Sequence, residues 1–212
     1  MRKFLILTVG LIFMSLLGCT GAFKQAYFLV DESLRDPDFH LKGVRMAFVT
    51  LGSEDKSEDR WILLDVFAKT IQEKRKGMEV ILPGQSLSLI NQAGMTKEYN
   101  ETIKDYQTSG IFEKKILEKL GGVLKTQYLA RLSLVSFEQY SSARFSFLGL
   151  RTVDSQLAKM RLFAQIWKTN EGKIVWEGSG EGIITRERFR ARPVDFHELA
   201  RLACEKLVEK LP

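Results

Sequence analysis

The sequence predicts an α/β (α+β) fold: a single domain with a mixed or antiparallel sheet of about five strands, a C-terminal β-hairpin, and helices packed on one or both faces. Three observations carry this. Helical apolar spacing dominates from Trp61 to Leu120, three β-patterned segments follow between Thr126 and Thr185, and an amphipathic helix closes the chain from about Val194 to Leu211.

The first segment stands apart from that fold. Met1-Arg2-Lys3 precede an uncharged run from Phe4 to Leu17, then Gly18-Cys19. A positive start, an apolar run and a small residue before the cut make a secretory signal. The run is too short to span a bilayer, which takes about 20 apolar residues, and Thr20 and Lys24 close it early. Leu16-Leu17-Gly18-Cys19 resembles the lipobox of bacterial lipoproteins. The resemblance implies cleavage before Cys19, a diacylglycerol thioether on its sulfur, and acylation of its freed amine. Several acyl chains such as palmitate give a durable membrane anchor. Thr20 stands where an Asp would resemble the inner-membrane retention signal, so the expected location is the outer membrane, periplasmic side.

Residues 1–18 are therefore read as signal peptide, 19–42 as lipidated cysteine and tether, and 43–212 as a periplasmic α/β domain. Removing residues 1–18 takes Arg2 and Lys3 from the 32 basic residues and none of the 26 acidic ones, so the net charge falls from +6 to +4. That mild balance, without a basic stripe, excludes a nucleic-acid partner. With Cys19 lipidated, Cys204 has no intramolecular partner.

Thr20 to about Lys42 has no clean period and contains Asp36-Pro37-Asp38, so it reads as an irregular lead-in. Val44 to Thr50 is an apolar strand bounded by Gly43 and Gly52. Trp61, Leu64, Phe67, Ala68 and Ile71 set a helix that ends in the charged run Glu73–Lys76. Met78 to Leu82 is a short strand stopped by Pro83-Gly84. Ser86 to Gln92, Lys97 to Gln107 and Phe112 to Leu120 read as helices, broken at Gly94, Gly110 and Gly121-Gly122. Strands follow at about Thr126–Phe137, Leu157–Thr169 and Ile174–Thr185.

The last two strands can be set in register. Ala158, Met160, Leu162, Ala164 and Ile166 share one face, and Trp176, Gly178, Gly180, Gly182 and Ile184 share one on the next strand. Both sets meet on the same side when Ala164 lies opposite Gly178 and Arg161 opposite Glu181, since a one-residue slip would turn one set to water. The loop Asn170-Glu171-Gly172 then puts Gly172 in the left-handed position. The glycine stripe calls for close approach of a helix backbone.

Gly121-Gly122, Tyr128-Leu129-Ala130-Arg131-Leu132, Met160-Arg161-Leu162-Phe163 and Gly172-Lys173-Ile174-Val175-Trp176-Glu177-Gly178 resemble a periplasmic pattern. It is shared by the TolB N-terminal domain, the outer-membrane lipoprotein activators of penicillin-binding proteins, and the periplasmic domain of the curli secretion lipoprotein. This chain departs from it at Lys168-Thr169-Asn170, where those families open the turn with Asp. The curli pore needs hairpins of about ten residues per strand, and the strands read above do not supply a set of them.

Chemistry is sparse. His40 and His197 stand in no zinc-ligand spacing, so no metal and no cofactor are expected. Gly178-Ser179-Gly180-Glu181-Gly182 lacks the Lys-Ser/Thr and helix of a phosphate loop. Cys204 sits near the apolar stripe of the last helix and reads as a packed thiol. The chain is expected not to be an enzyme.

Two surfaces remain. Ser141 to Ser155 reads as a long connection carrying Phe145, Phe147, Leu148 and Leu150 between Arg144 and Arg151, a composition suited to partner binding unless the phenylalanines extend the strands into the core. Arg186, Arg188, Arg190 and Arg192 alternate ahead of Pro193 and would face one side of a continued strand, suited to anions unless merely solvated. The expected function is a non-catalytic envelope lipoprotein that docks on or helps assemble an envelope protein complex; the alternatives are a lipid- or glycan-binding periplasmic module and, ranked last because no catalytic set is present in the sequence, an enzyme of unrecognised type.

Overall fold

The computed structural model describes residues 23–49, 58–147, 150–188 and 192–212, with side chains for 24–49, 59–142, 154–187 and 192–212. Strands β1 Phe23–Arg35, β2 Arg45–Phe48, β3 Glu79–Ile81, β4 Tyr128–Phe147, β5 Leu150–Lys168 and β6 Lys173–Arg188 form one mixed sheet, in the order β1-β6-β5-β4-β2-β3. The helices among the described residues are α1 Glu58–Lys74, α2 Pro83–Gln92, α3 Thr96–Ser109, α4 Lys114–Leu124 and α5 Phe196–Lys210. The fold is α/β, as the periodicity predicts. By internal contacts the described chain divides into two units. The larger holds 28–138, 159–182 and 195–212, and the smaller is made mostly of strand ends, 23–27, 139–158 and 183–194.

The larger unit has helices on both faces of its sheet. β2 pairs in parallel with β3 and β4, so its alternate side chains point to opposite layers. Phe48 meets the Phe67 ring of α1 edge-on at 5.7 Å. Ala47 and Val49 join the other layer, where Ile90, Ile103, Leu117, Leu120 and Trp167 close the core beneath α2, α3 and α4. α1 packs along α5. Their ends are tied by Arg75, whose Nη2 donates to the carbonyls of Val208 at 2.8 Å and Leu211 at 2.5 Å. A cation there satisfies acceptors that a helix C-terminus leaves open.

Local chemistry sets the helix ends. Pro83 opens α2 rather than merely stopping β3, because its fixed φ and missing N–H suit the first helical turn; Gln85 Oε1 accepts the Leu82 N–H at 3.1 Å. Asp195 caps α5 by accepting the His197 N–H at 3.2 Å. The break expected at Gly121-Gly122 is corrected: α4 runs through both to Leu124.

A methyl on Gly121 would lie 2.7 Å from Cβ and Oγ1 of Thr169 and 3.1 Å from the Thr126 carbonyl, whereas one on Gly122 would meet nothing within 4 Å. The first glycine is thus a packing device and the second an unused helix weakness. Gly122→Ala should stabilise the protein by about 0.5–1 kcal/mol, the usual helix penalty of glycine. Gly121→Ala should lower the thermal midpoint despite the same propensity gain, and calorimetry of the two variants checks the contrast.

Three further expectations are revised. The lead-in read as irregular contains β1. Its run Ala26-Tyr27-Phe28-Leu29-Val30 shows no alternation because one face meets the protein while Tyr27 and Leu29 on the other are exposed. The connection Ser141–Ser155 is no loop. β4 runs on to Phe147 and β5 begins at Leu150, so most of it is the two arms of a hairpin, and the Gln156 Nε2 bond to Ser141 Oγ at 2.7 Å joins them. The long hairpin that the sequence reading did not find is therefore present.

The glycine stripe, finally, meets no helix backbone. Gly178 lies under the Trp176 ring, Gly182 under Phe28 of β1 and Leu199 of α5, and Gly180 beside Leu207 and Val30. Aromatic rings fill the space over Gly178 and Gly182, and aliphatic side chains lie beside Gly180.

The β5–β6 register is as derived from the matched faces. Arg161 donates from Nε and Nη2 to Glu181 Oε2 at 3.1 and 2.8 Å, and Gly172 has φ 68°.

Candidate functional site

Of the side chains singled out by sequence, several lie outside the described residues: Cys19, Leu148 and Arg190 altogether, and the side chains of Arg144, Phe145, Phe147, Leu150, Arg151 and Arg188. The backbone of Arg144, Phe145 and Phe147 is in β4 and that of Leu150 and Arg151 in β5, on the two arms of one hairpin. Arg186 is half-buried on β6, which ends at Arg188, and Arg192 is exposed ahead of α5. Among the described residues the strand carries Arg186 and Arg188.

The structure adds a line of polar groups across the sheet of the larger unit. Arg131 on β4 donates from Nη1 to Tyr106 Oη on α3 at 2.7 Å and to Gln165 Oε1 on β5 at 3.3 Å. Tyr106 Oη donates to the same Gln165 oxygen at 2.7 Å. Gln165 Nε2 donates to Glu177 Oε2 on β6 at 2.7 Å, and Ser33 Oγ on β1 donates to Glu177 Oε1 at 2.8 Å. The Arg131 guanidinium also sits 4.6 Å from the Tyr106 ring centroid.

Burial lowers the Arg131 pKa and raises that of the Tyr106 phenol, a rise that Glu177 reinforces and Arg131 opposes. The rise keeps the Tyr106 phenol protonated at neutral pH. The line holds four strands and a helix together through satisfied polar partners; it supplies no nucleophile. Its sequence signal is the set of polar residues inside strand patterns: by alternation Gln165 and Glu177 lie on the faces opposite the apolar stripes Ala158–Ile166 and Trp176–Ile184.

The remaining candidate chemistry is quiet. His40 Nδ1 lies 3.0 Å from the Asp38 carbonyl, and no group of three metal-ligating residues occurs among the described residues. Cys204 is fully buried on α5, and burial pushes its thiol far up, so it stays protonated. No helix among the described residues is long and apolar enough to cross a membrane.

Each unit carries an open cleft among the described residues. In the larger, a cleft of about 590 Å³ is bordered by His40, Glu118, Gly121, Tyr128, Lys168 and Asn170. In the smaller, a cleft of about 750 Å³ lies on the strands and is lined by Gln25, Tyr140, Ser142, Ser155, Leu157, Thr185 and Glu187. The second is a surface of hydroxyl and amide groups with one tyrosine, so it offers many hydrogen bonds and little charge.

No protein-family model and no curated protein matches the chain. Among solved structures it is similar to a PelC dodecamer from Paraburkholderia phytofirmans, at 11% identity over 86% of this chain and 95% of that chain, with TM-score 0.47. It is also similar to the lipoprotein GNA1162 from Neisseria meningitidis, at 15% identity over 78% of this chain and 96% of that chain, with TM-score 0.45.

Proposed function

We propose that the chain is a non-catalytic envelope lipoprotein, anchored through lipid on Cys19 to the periplasmic side of the outer membrane, that docks on or helps assemble a membrane-associated protein complex. The observation that carries this reading is the sequence of a positive start, an uncharged apolar run and Leu16-Leu17-Gly18-Cys19 over residues 1–19.

The position of β1 sharpens it. Phe23 opens the strand four residues after Cys19, a span of at most about 14 Å of extended chain. The anchor thus holds the smaller unit, with its hairpin, against the membrane surface rather than on a long tether. A docking partner met there is itself membrane-bound or membrane-proximal.

The hairpin is where the docking is tested. If Phe145 and Phe147 are core residues, changing either to Ala costs about 3–5 kcal/mol. As docking residues they should leave the melting temperature within a few degrees of wild type while recovery of the partner from detergent-solubilised membranes falls at least tenfold. A large loss of stability with unchanged recovery would end the docking role.

A second reading has one observation in its favour. The hydroxyl-rich cleft of the smaller unit, in which Glu187 is the one charged lining residue, fits a glycan better than an acyl chain, because its lining offers hydrogen bonds with Leu157 as its one aliphatic side chain. Retention of soluble glycan by the purified protein, without a protein partner, would favour that reading.

A further inference from the structure

Among the described residues the sheet has two long open edges, besides the outer side of the three-residue end strand β3. β1 ends the strand order and, among the described residues, has β6 as its only strand neighbour. On the other side, β2 pairs with β4 only from Tyr128 to Ala130, so among the described residues no strand pairs with the outer side of β4 from Arg131 to Phe147. Exposed strand edges of this length present rows of unpaired N–H and C=O groups, and proteins ordinarily shorten, cover or charge them.

The apolar side chains follow the same edges. Among the described side chains, the strand residues that expose large apolar groups are Tyr27, Leu29 and Leu34 on β1 and Val135 and Tyr140 on β4, with none on the described parts of the inner strands β5 and β6. The pattern repeats within each unit. In the larger unit it is Leu29 at 58% and Val135 at 56% exposure, and in the smaller Tyr27 at 59% and Tyr140 at 57%. Inner strands instead expose charge, as in the pair Arg161–Glu181.

Strand direction makes the two edges compatible. β4 and β5 are antiparallel, since Ser141 meets Gln156 while Arg131 meets Gln165. β5 and β6 are antiparallel through Arg161–Glu181 and Gln165–Glu177. β1 and β6 are antiparallel as well, since Ser33 meets Glu177 while Phe28 covers Gly182. β1 therefore runs opposite to β4, and a β1 edge laid beside the β4 edge of an identical chain forms an antiparallel pair that continues the alternation.

We infer that the chain associates with further copies of itself head to tail, the β1 edge of one copy adding to the β4 edge of the next. Main-chain hydrogen bonds across the junction provide affinity, and Tyr27 and Leu29 of one copy cover Val135 and Tyr140 of its neighbour. Such a heterologous contact joins more than two copies and closes into a ring or extends as a filament. A two-fold pairing of β1 with β1 would leave Val135 and Tyr140 in water. The inference does not depend on lipid at Cys19.

Native mass spectrometry of the full chain extracted in detergent tests it, with Leu29→Lys and Val135→Lys as exposed charge substitutions and circular dichroism as the check of folding. Wild type should appear as an assembly of more than two copies, and each variant as single chains with an unchanged spectrum. An equal mixture of the two variants should give a one-to-one dimer that grows no further, because each supplies the edge the other has lost. Single-chain wild type, or assembly of Val135→Lys like wild type, would overturn the proposal. Should either lysine alter the spectrum, Leu29→Ser and Val135→Ser take the same test with the same required outcomes.

Discussion

A Cys19→Ser chain is expected to vanish from the membrane fraction as a processed species and to accumulate as an uncut precursor or a soluble protein. The thiol is the only group at that position able to take a thioether-linked diacylglycerol, and several acyl chains are what separate a durable anchor from the marginal binding of one. The effect should be near complete rather than graded. Fractionation and immunoblotting read it directly, and recovery of processed Cys19→Ser protein in membranes would refute the lipid anchor. Folding of the mature part should be unchanged, because the substituted residue lies four positions ahead of the first residue of β1.

Trp176→Ala should have the largest effect on stability. The ring is fully buried, covers Gly178, and donates from Nε1 to Glu32 Oε2 at 3.0 Å, which ties β6 to the edge strand β1. Truncation leaves a cavity over a glycine with no side chain to collapse into it and deprives Glu32 of a donor. A cost of about 3–5 kcal/mol is expected, which for a protein of this size lowers the melting temperature by on the order of 10 °C. Gly180→Ala is the matched control. Its added methyl would sit 3.7 Å from Leu207 and 3.9 Å from Val30, in ordinary contact, so the variant should melt at or above wild type. A Trp176→Ala protein as stable as wild type would show that β1 does not depend on this contact.

These two effects also mark where the sequence was legible. Where one strand face was apolar and the other charged, the pattern specified both the strands and their register, down to Arg161 opposite Glu181. β1 was missed for the converse reason: exposed Tyr27 and Leu29 erase the alternation on which strand recognition rests. Gly121-Gly122 was read as a break because glycine is a poor helix former, whereas tertiary contact with Thr169 needs Gly121 there. The hairpin arms were read as a loop because their small and polar residues, Ser141, Ser142 and Ser155, resemble connection chemistry. The polar line from Arg131 to Ser33 joins five separate elements, and no local pattern announces such a convergence.

The proposed function joins these parts through one atom, the sulfur of Cys19. Phe23, the first residue of a strand that begins in the smaller unit, follows Cys19 by four positions, so lipid there would place the hairpin, the hydroxyl-lined cleft and one end of the β1 edge at the membrane. The most direct measurement is the mass of the N-terminal peptide of the chain isolated from bacterial membranes. The account predicts a peptide that begins at Cys19 and is heavier by diacylglycerol and an amide-linked acyl chain; a peptide that begins upstream of Cys19, or one that begins at Cys19 without added lipid, would contradict it.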